Sequence, residues 1–518
     1  MPQYLSPGVY VEEVESGARP IEGVGTAVAA FVGIAELGPF NEPTLVTNWS
    51  QFTAAFGGFL EGSYLAHAVY AYFLNGGGSC YVVRVGGNGA ATPTARADLP
   101  AAGSKASGYR VEAIQPGPGG NELGIEVSVT KPASGGEGEG GGEGATDAFD
   151  LVVKRGSKVE ERYRGLTTRR GKQNVATVVN AQSQLVRIQE TASASSLLAP
   201  VAGSTALAGG AHPEPAPVTP EDYAGDAADR TGFGGLEAVD PITMVCVPDL
   251  MGAYQAGAID LEGVQAVQLA MVAHCELMGD RLAILDPPPG LNAQQVREWR
   301  VDKAGYDSRF AALYWPWVKV FDPASGENAF IPPSGAMAGI WSRNDDTRGV
   351  HKAPANEVVR GAIAVETQIT KAEHDLLNPQ GINCIRAFPG RGIRVWGART
   401  ISSDPAWRYL NIRRLFNYLE ESILAGTQWA VFEPNDHDLW ARMRRTIAAF
   451  LTNEWRKGAL FGATPQQAFY VKCDEETNPP EVVDAGQVVC EIGVAPVKPA
   501  EFVIFRLSQF SAGAEVAE

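Results

Sequence analysis

The six histidines (His67, His212, His274, His351, His374, His437) and six cysteines (Cys80, Cys246, Cys275, Cys384, Cys473, Cys490) are the side chains best suited to act as bases, nucleophiles or metal ligands. His274 beside Cys275 suggests a base and its nucleophile. Adjacent helix residues point about 100° apart, however, and cannot hydrogen-bond side chain to side chain. No histidine lies in an HExxH pattern or at a spacing that would hold zinc from successive helix turns. The cysteines show no CxxC spacing and read as small buried hydrophobes in a reducing compartment. Gly23-Val24-Gly25 lacks the third glycine and the acidic partner of a dinucleotide fingerprint, which leaves a strand turn. Residues 165–172 look like a phosphate loop, but the glycine spacing is one residue too long and Gln173 replaces the magnesium-binding Ser or Thr. Residues 154–172 carry eight Lys or Arg, with Tyr163 as the one stacking ring and Glu160 and Glu161 among them. That pattern is a solvated face rather than a nucleic-acid groove. Asp436-His437-Asp438 opens an expected helix, where carboxylates cap free amides. No catalytic, cofactor-binding or metal residue is therefore assigned, and no cofactor is expected.

The elements that carry these residues belong to a long acidic chain. It has 518 residues and a net charge of −17, which disfavours direct binding to nucleic acid or anionic lipid. Hydrophobic residues make up 45% and charged residues 19%, as in a folded protein, while 59 Gly and 34 Pro imply many turns. No basic segment precedes Glu12, Glu13 and Glu15, and the apolar run at 23–35 is too short to span a bilayer, so a cytoplasmic protein without membrane insertion is expected. The fold class expected is mixed α/β and multi-domain, with a core assembled from amino- and carboxy-terminal segments around a β-rich insertion. Its parts are a strand arm at 1–20, a first piece of α/β core at 21–89, the insertion at 90–234, a second α/β domain at 235–353, a carboxy-terminal core at 354–500 and a second strand arm at 501–518. Residues 132–146 hold seven Gly and three Glu and form a linker within the insertion. Helices are expected over 63–75, 261–278, 407–424 and 436–457. Strands are expected over 80–85, 149–153, 185–189, 242–247, 281–286, 311–321, 469–473 and 488–494. The run at 502–507 is apolar at successive positions and is expected to be a strand buried on both faces. Two terminal strands in an otherwise self-contained chain must find an edge, and another copy offers one.

Long blocks of the sequence resemble the contractile tail sheath family. They are SPGVYVEE at 6–13, GTAVAAFVGIAELGPFNEP at 25–43, NGGGSCYVVRV at 75–85 and NPQGINCIRAFPGRGIRVWGARTI at 378–401. RRLFNYLEESI at 413–423, FEPND at 432–436, CDEETN at 473–478 and IGVAPVKPAEFVIFRLSQF at 492–510 extend the likeness. It leaves out chiefly residues 90–230. At 348–356 a family-like loop carries His351 where a large aromatic residue is expected, and Asp345 and Asp346 read as the start of a surface turn.

The resemblance implies a structural subunit, not an enzyme. Such a subunit polymerises as stacked sixfold rings around an inner tube and contracts to drive that tube through a target envelope. Its implied partners are other copies of itself, the inner tube protein, and baseplate and terminal cap proteins, in a phage-like particle assembled in the cytoplasm. Val9, Tyr10, Val11, Glu12, Glu13 and Val14, with Phe502, Val503, Ile504, Phe505, Arg506 and Leu507, are the implied inter-subunit arms. A polar tube contact is placed on Glu481 and Asp484 or on Arg442, Arg444 and Arg445. A non-contractile tail or baseplate protein, and more remotely an enzyme with an unrecognised site, are the alternatives. The second would need a deep pocket with convergent polar groups.

Overall fold

The computed structural model describes residues 20–86, 93–101, 105–129, 148–191, 197–211, 218–323 and 325–506. The amino-terminal arm and Leu507 lie outside them. The chain divides into two units, one made of residues 1–85 and 218–518 and the other of residues 86–217.

The larger unit is built on one eight-stranded sheet, a mixed α/β layer. In chain order its strands are β1 (Val28–Gly33), β2 (Thr44–Val46), β3 (Ser79–Arg84), β4 (Met244–Cys246), β5 (Leu282–Leu285), β6 (Ala311–Trp315), β7 (Ile382–Phe388) and β8 (Gly392–Val395). Their spatial order is β8-β7-β6-β5-β4-β1-β3-β2. The six inner strands run parallel, while β2 and β8 pair antiparallel at the edges. Segments expected as separate domains thus share a single sheet. The larger unit resumes at Val218, earlier than the expected 235, because Val218, Tyr223 and Phe233 are buried in its core.

Parallel inner strands need helices on both faces, which is why β4, β5 and β6 are buried at every position. Helices α1 (Leu65–Asn75) and α4 (Ser334–Arg348) cover one face through Val69, Tyr72, Met337 and Trp341. Helices α2 (Asp249–Gln255) and α3 (Leu261–Met278) cover the other through Leu250, Val264, Val267 and Met271. The α1–α4 contact is close because Gly335 and Gly339 face the backbone of Ala68 and Tyr72, where an added Cβ would lie 2.4 Å from a carbonyl oxygen. Asp260 caps the start of α3 by accepting from the Gly263 amide, and Gly279, with φ of 73°, ends it. Both signals were legible, and α3 matches its expected bounds.

Two buried carboxylates tie the loops beyond the strands to helix starts. Asp249 accepts from the Ile34 amide at 2.5 Å, the Leu65 amide at 3.0 Å, the Ser63 hydroxyl at 3.0 Å and the Tyr64 amide. Asp286 accepts from the Ser334 amide at 2.9 Å, at the first residue of α4. Burial outweighs these bonds and pushes Asp249 up to about 6 and Asp286 up to about 7. In the unfolded chain such a carboxyl titrates near ~3.9. Between the two values the folded state binds the extra proton, so the contribution of Asp286 to stability falls as pH rises from about 4 to about 7. Asp286→Asn keeps the acceptor for Ser334 without the buried charge. Across that window the variant is expected to gain on the parent by roughly 1.4 kcal/mol per pH unit. Denaturant melts of both chains at pH 5, 6, 7 and 8 check this, and parallel curves would refute it.

The carboxy-terminal part packs α5 (Leu410–Thr427) and α6 (His437–Arg456) with the hairpin β9 (Phe469–Lys472) and β10 (Glu491–Val494). Ile21, Leu415, Leu419, Ile447, Phe450 and Leu451 form its core, so α6 buries one apolar face through Ile447, Phe450 and Leu451. A short helix α7 (Pro480–Asp484) lies within the polar excursion between β9 and β10. Asp345 and Asp346 are not in a surface turn. They sit inside α4, which continues to Arg348 because Asp345 is satisfied by a buried arginine, described below.

Among the described residues, the unit at 86–217 has two antiparallel sheets. One contains Leu123–Val129, Phe149–Arg155, Lys158–Leu166 and Gly203–Ala206, the other Arg96–Ala101, Lys105–Ala113 and Val186–Glu190. Tyr109, Ile125, Leu151, Val153, Leu166 and Ile188 form a core of its own. The basic run lies on one of its hairpins, where Lys154 pairs with Glu126 at 2.6 Å and Lys158 with Glu160 at 3.0 Å.

Candidate functional site

The candidate chemistry at His274 and Cys275 does not assemble. His274 is buried against the Phe233 ring and its Nε2 makes no hydrogen bond. Burial, helped by the Arg281 charge, lowers its pKa to about 4, and burial raises the Cys275 thiol. Among the described residues, no cluster of three or more His, Cys, Asp or Glu could hold a metal, and no helix is long and apolar enough to cross a membrane. A cavity of about 330 Å³ beneath β1, β4 and β5 is lined by Val24, Ile242, Leu282 and Tyr418, with Asp240 and Glu421 among its polar groups. Its lining includes no Ser, Cys or His. Gly23 and Gly25 form no strand turn. They precede β1 in irregular chain, and Gly23 lies so close to the Tyr418 hydroxyl that a Cβ would stand 2.0 Å from it.

A run of exposed apolar side chains lies at the carboxy-terminal end, just past a tightly held carboxylate. Glu501 is clamped: Arg399 Nη2 donates to its Oε2 at 2.6 Å and Arg399 Nε to its Oε1 at 2.9 Å, with Asn378 Nδ2 at 2.7 Å and the Tyr409 hydroxyl at 3.2 Å. Burial alone would raise the Glu501 pKa, but the Arg399 and Asn378 bonds overcome it and hold it low. Past this anchor the expected strand is not formed. Phe502, Val503, Ile504 and Phe505 are 71%, 69%, 78% and 84% exposed and Arg506 is exposed too, rather than buried on both faces. A lone chain gives this run no partner edge, and a strand needs one.

The five candidate tube-contact residues lie on α6 and α7, which share a small apolar cluster. Trp440 and Met443 of α6 meet Val483 of α7 there, beside Cys473 and Cys490. Glu481 and Asp484 are exposed on α7, and Asn435 Nδ2 fixes the end of the excursion by donating to the Gln487 carbonyl at 2.8 Å. On α6, Arg442 pairs with Glu433 at 2.9 Å and lies 5.0 Å over the Trp429 ring. Arg445 joins it along a shallow depression lined by Glu433, Asp436 and Asp438. Arg444 is turned elsewhere and donates to the Cys473 carbonyl at 2.8 Å. Asp436 caps α6 by accepting from the Leu439 amide at 2.8 Å, the role expected of it.

Phe432, within the FEPND block, carried no assigned role in the sequence. It is fully exposed at the α5–α6 turn and adopts φ of 66°, a left-handed conformation that is an outlier for a bulky residue. An aromatic ring held in strain and offered to solvent suits a contact surface. Its place before Pro434-Asn435-Asp436, which ends in a helix cap, was the available signal.

Residues 217–401 match the family model described as phage tail sheath protein central domain, and residues 402–510 match the phage tail sheath C-terminal domain. The tail sheath protein of Burkholderia phage BcepMu is 25% identical over 524 residues, covering 96% of this chain and 95% of that protein. The tail sheath protein of Vibrio phage KVP40 is 26% identical over 250 residues, which is 45% of this chain but only 36% of that longer protein. Among solved structures, the helical sheath of the anti-feeding prophage in its contracted state superposes with a TM-score of 0.59 at 24% identity, covering 97% of this chain and 99% of that one. That likeness extends to the fold.

Proposed function

This chain belongs to the phage tail sheath protein family, and from that premise we propose that it is the sheath subunit of a phage tail or a related contractile injection system. It polymerises as stacked sixfold rings around an inner tube and contracts to drive the tube through a target envelope. The observation that carries this reading is the carboxy-terminal run: four large apolar side chains are exposed immediately beyond a fourfold-anchored Glu501. Such a segment completes itself by adding a strand to a neighbouring copy, where its backbone gains a ladder and its side chains are covered. Val9 to Val14 is read as the matching amino-terminal arm. Backbone ladders persist while the bodies they join rotate, so the mesh survives contraction. Energy is stored in assembly contacts, no catalytic step is required, and baseplate, cap and inner tube proteins are the remaining partners. Residues 86–217, rather than the expected 90–234, are read as an outward-facing insertion of the assembled sheath that tolerates change, and the core they have of their own supports that reading.

The tube grip must hold before firing and release afterwards, which favours a modest polar contact over a large apolar one. Exposed Glu481 and Asp484 on α7 fit that need without losing an internal bond, whereas Arg442 already has Glu433 and Arg444 the Cys473 carbonyl. Glu481→Lys with Asp484→Lys is expected to cut co-sedimentation of the sheath with inner tube at least tenfold and leave sheath-only polymers unchanged. Unchanged tube capture, with loss instead in an Arg442→Glu, Arg445→Glu variant, would move the contact to α6. Failure of the parent chain to form any sedimenting polymer would sink the sheath reading itself.

A further inference from the structure

We propose that Cys473 and Cys490 form a reversible disulfide that staples the base of the β9–β10 excursion. This inference stands apart from the sheath reading. In the hairpin, Phe469 faces Val494 and Lys472 faces Glu491, so one more step of the same register sets Cys473 opposite Cys490. Facing residues of an antiparallel pair have Cα atoms about 4.5–5.5 Å apart, inside the range of about 4.4–6.8 Å that a disulfide spans. Both residues are free thiols, and they are close enough for each to influence the other's titration. The facing geometry is held from the other side by Asn478, whose Oδ1 accepts from the Val489 amide at 2.6 Å and whose Nδ2 donates to the Val489 carbonyl at 3.0 Å. The remaining cysteines, Cys80, Cys246, Cys275 and Cys384, are buried in the sheet and its helix layers.

The surroundings also set the order of events. Cys473 is fully buried and Cys490 is partly exposed, so a small oxidant meets Cys490 first. Burial holds both thiols above their ordinary range, with Cys490 at about 12, while the guanidinium of Arg444 beside them acts in the opposite direction. Oxidation is therefore slow and needs a peroxide-class oxidant rather than brief exposure to air. The Cys490 thiolate, its proton lost to water, attacks one oxygen of hydrogen peroxide. The O–O bond breaks, hydroxide leaves and takes a proton, and Cys490 becomes a sulfenic acid. The Cys473 thiolate then attacks the Cys490 sulfur, the S–O bond breaks and a second water departs. Two thiols lose two electrons in all, and one peroxide becomes two waters. A thiol reductant reverses the step by exchange.

The closed bridge would pin residues 474–489, and with them Glu481 and Asp484, at a fixed root. The test uses the full chain, purified under reducing conditions, freed of reductant, treated with hydrogen peroxide at pH 8, alkylated and peptide-mapped. Expected is a fall in free thiols from six to four, a mass lower by two hydrogen atoms, and a single crosslink joining Cys473 to Cys490. Oxidation should also raise the thermal midpoint of the parent by a few degrees, while Cys473→Ser, which lacks the crosslink, shows no such rise. The proposal is overturned if all six thiols stay alkylatable under conditions that fully oxidise free glutathione. It is equally overturned if Cys490 accumulates as sulfinic acid beside a free Cys473, or if Cys473 is crosslinked elsewhere.

Discussion

Arg414→Ala is expected to lower the unfolding free energy of the unassembled chain by about 3–5 kcal/mol. Arg414 Nη1 donates to Asp345 Oδ1 at 2.8 Å and Nη2 to Oδ2 at 2.5 Å, with side chains only 3% and 5% exposed. Arg414 Nη2 also reaches the Thr26 carbonyl at 3.0 Å, the Thr26 hydroxyl donates to Asp345 Oδ2 at 2.6 Å, and the guanidinium lies 4.9 Å over the Trp341 ring. One network thus joins the entry to β1, helix α4 and helix α5. Deleting the arginine leaves Asp345 charged, buried and short of its main partner, which costs more than the pair itself contributes. The double variant Arg414→Met, Asp345→Leu removes both charges and should recover much of the loss. A loss under about 1 kcal/mol in Arg414→Ala, or a double variant no better than the single one, would show that the pair is not the joint described here.

Ending the chain after Glu501 is the change expected to affect assembly most. The stop spares the Arg399 clamp, and because Phe502, Val503, Ile504 and Phe505 bury little in the single chain, the truncated subunit should melt within about a degree of the parent. Covering those four side chains in a neighbour is worth roughly 1.5–3 kcal/mol each before ordering costs, so their removal should abolish polymers altogether. Deleting residues 1–17 is expected to do the same from the other end. Tubes of normal length from either truncation would remove the arms from the account.

How far these features were legible depends on the range of the interactions that set them. Helix α3 and helix α6 follow local signals, the Asp260 and Asp436 caps and the Gly279 stop, and so match expectation closely. Strands β4 and β5 are shorter than the apolar runs that announced them, because pairing with neighbours sets strand ends. Asp345-Asp346-Thr347-Arg348-Gly349 reads locally as a turn. What keeps it helical is Arg414, 69 positions away, and no local pattern records that. Cys473 and Cys490 looked scattered because their meeting depends on hairpin register rather than on spacing in the chain. The run at 502–507 shows the opposite failure. Its composition is that of a buried strand, but the burial it is suited to is not available within one copy.

The central claim, that this chain builds a contractile sheath, is tested most directly by electron microscopy with helical reconstruction of polymers formed by the full-length chain together with its inner tube. The account predicts long tubes of stacked sixfold rings, in a long and a short form, with each subunit's residues 502–506 paired as a strand on an adjacent copy. Monomers or small closed assemblies only, or tubes in which those residues touch no neighbour, would contradict it.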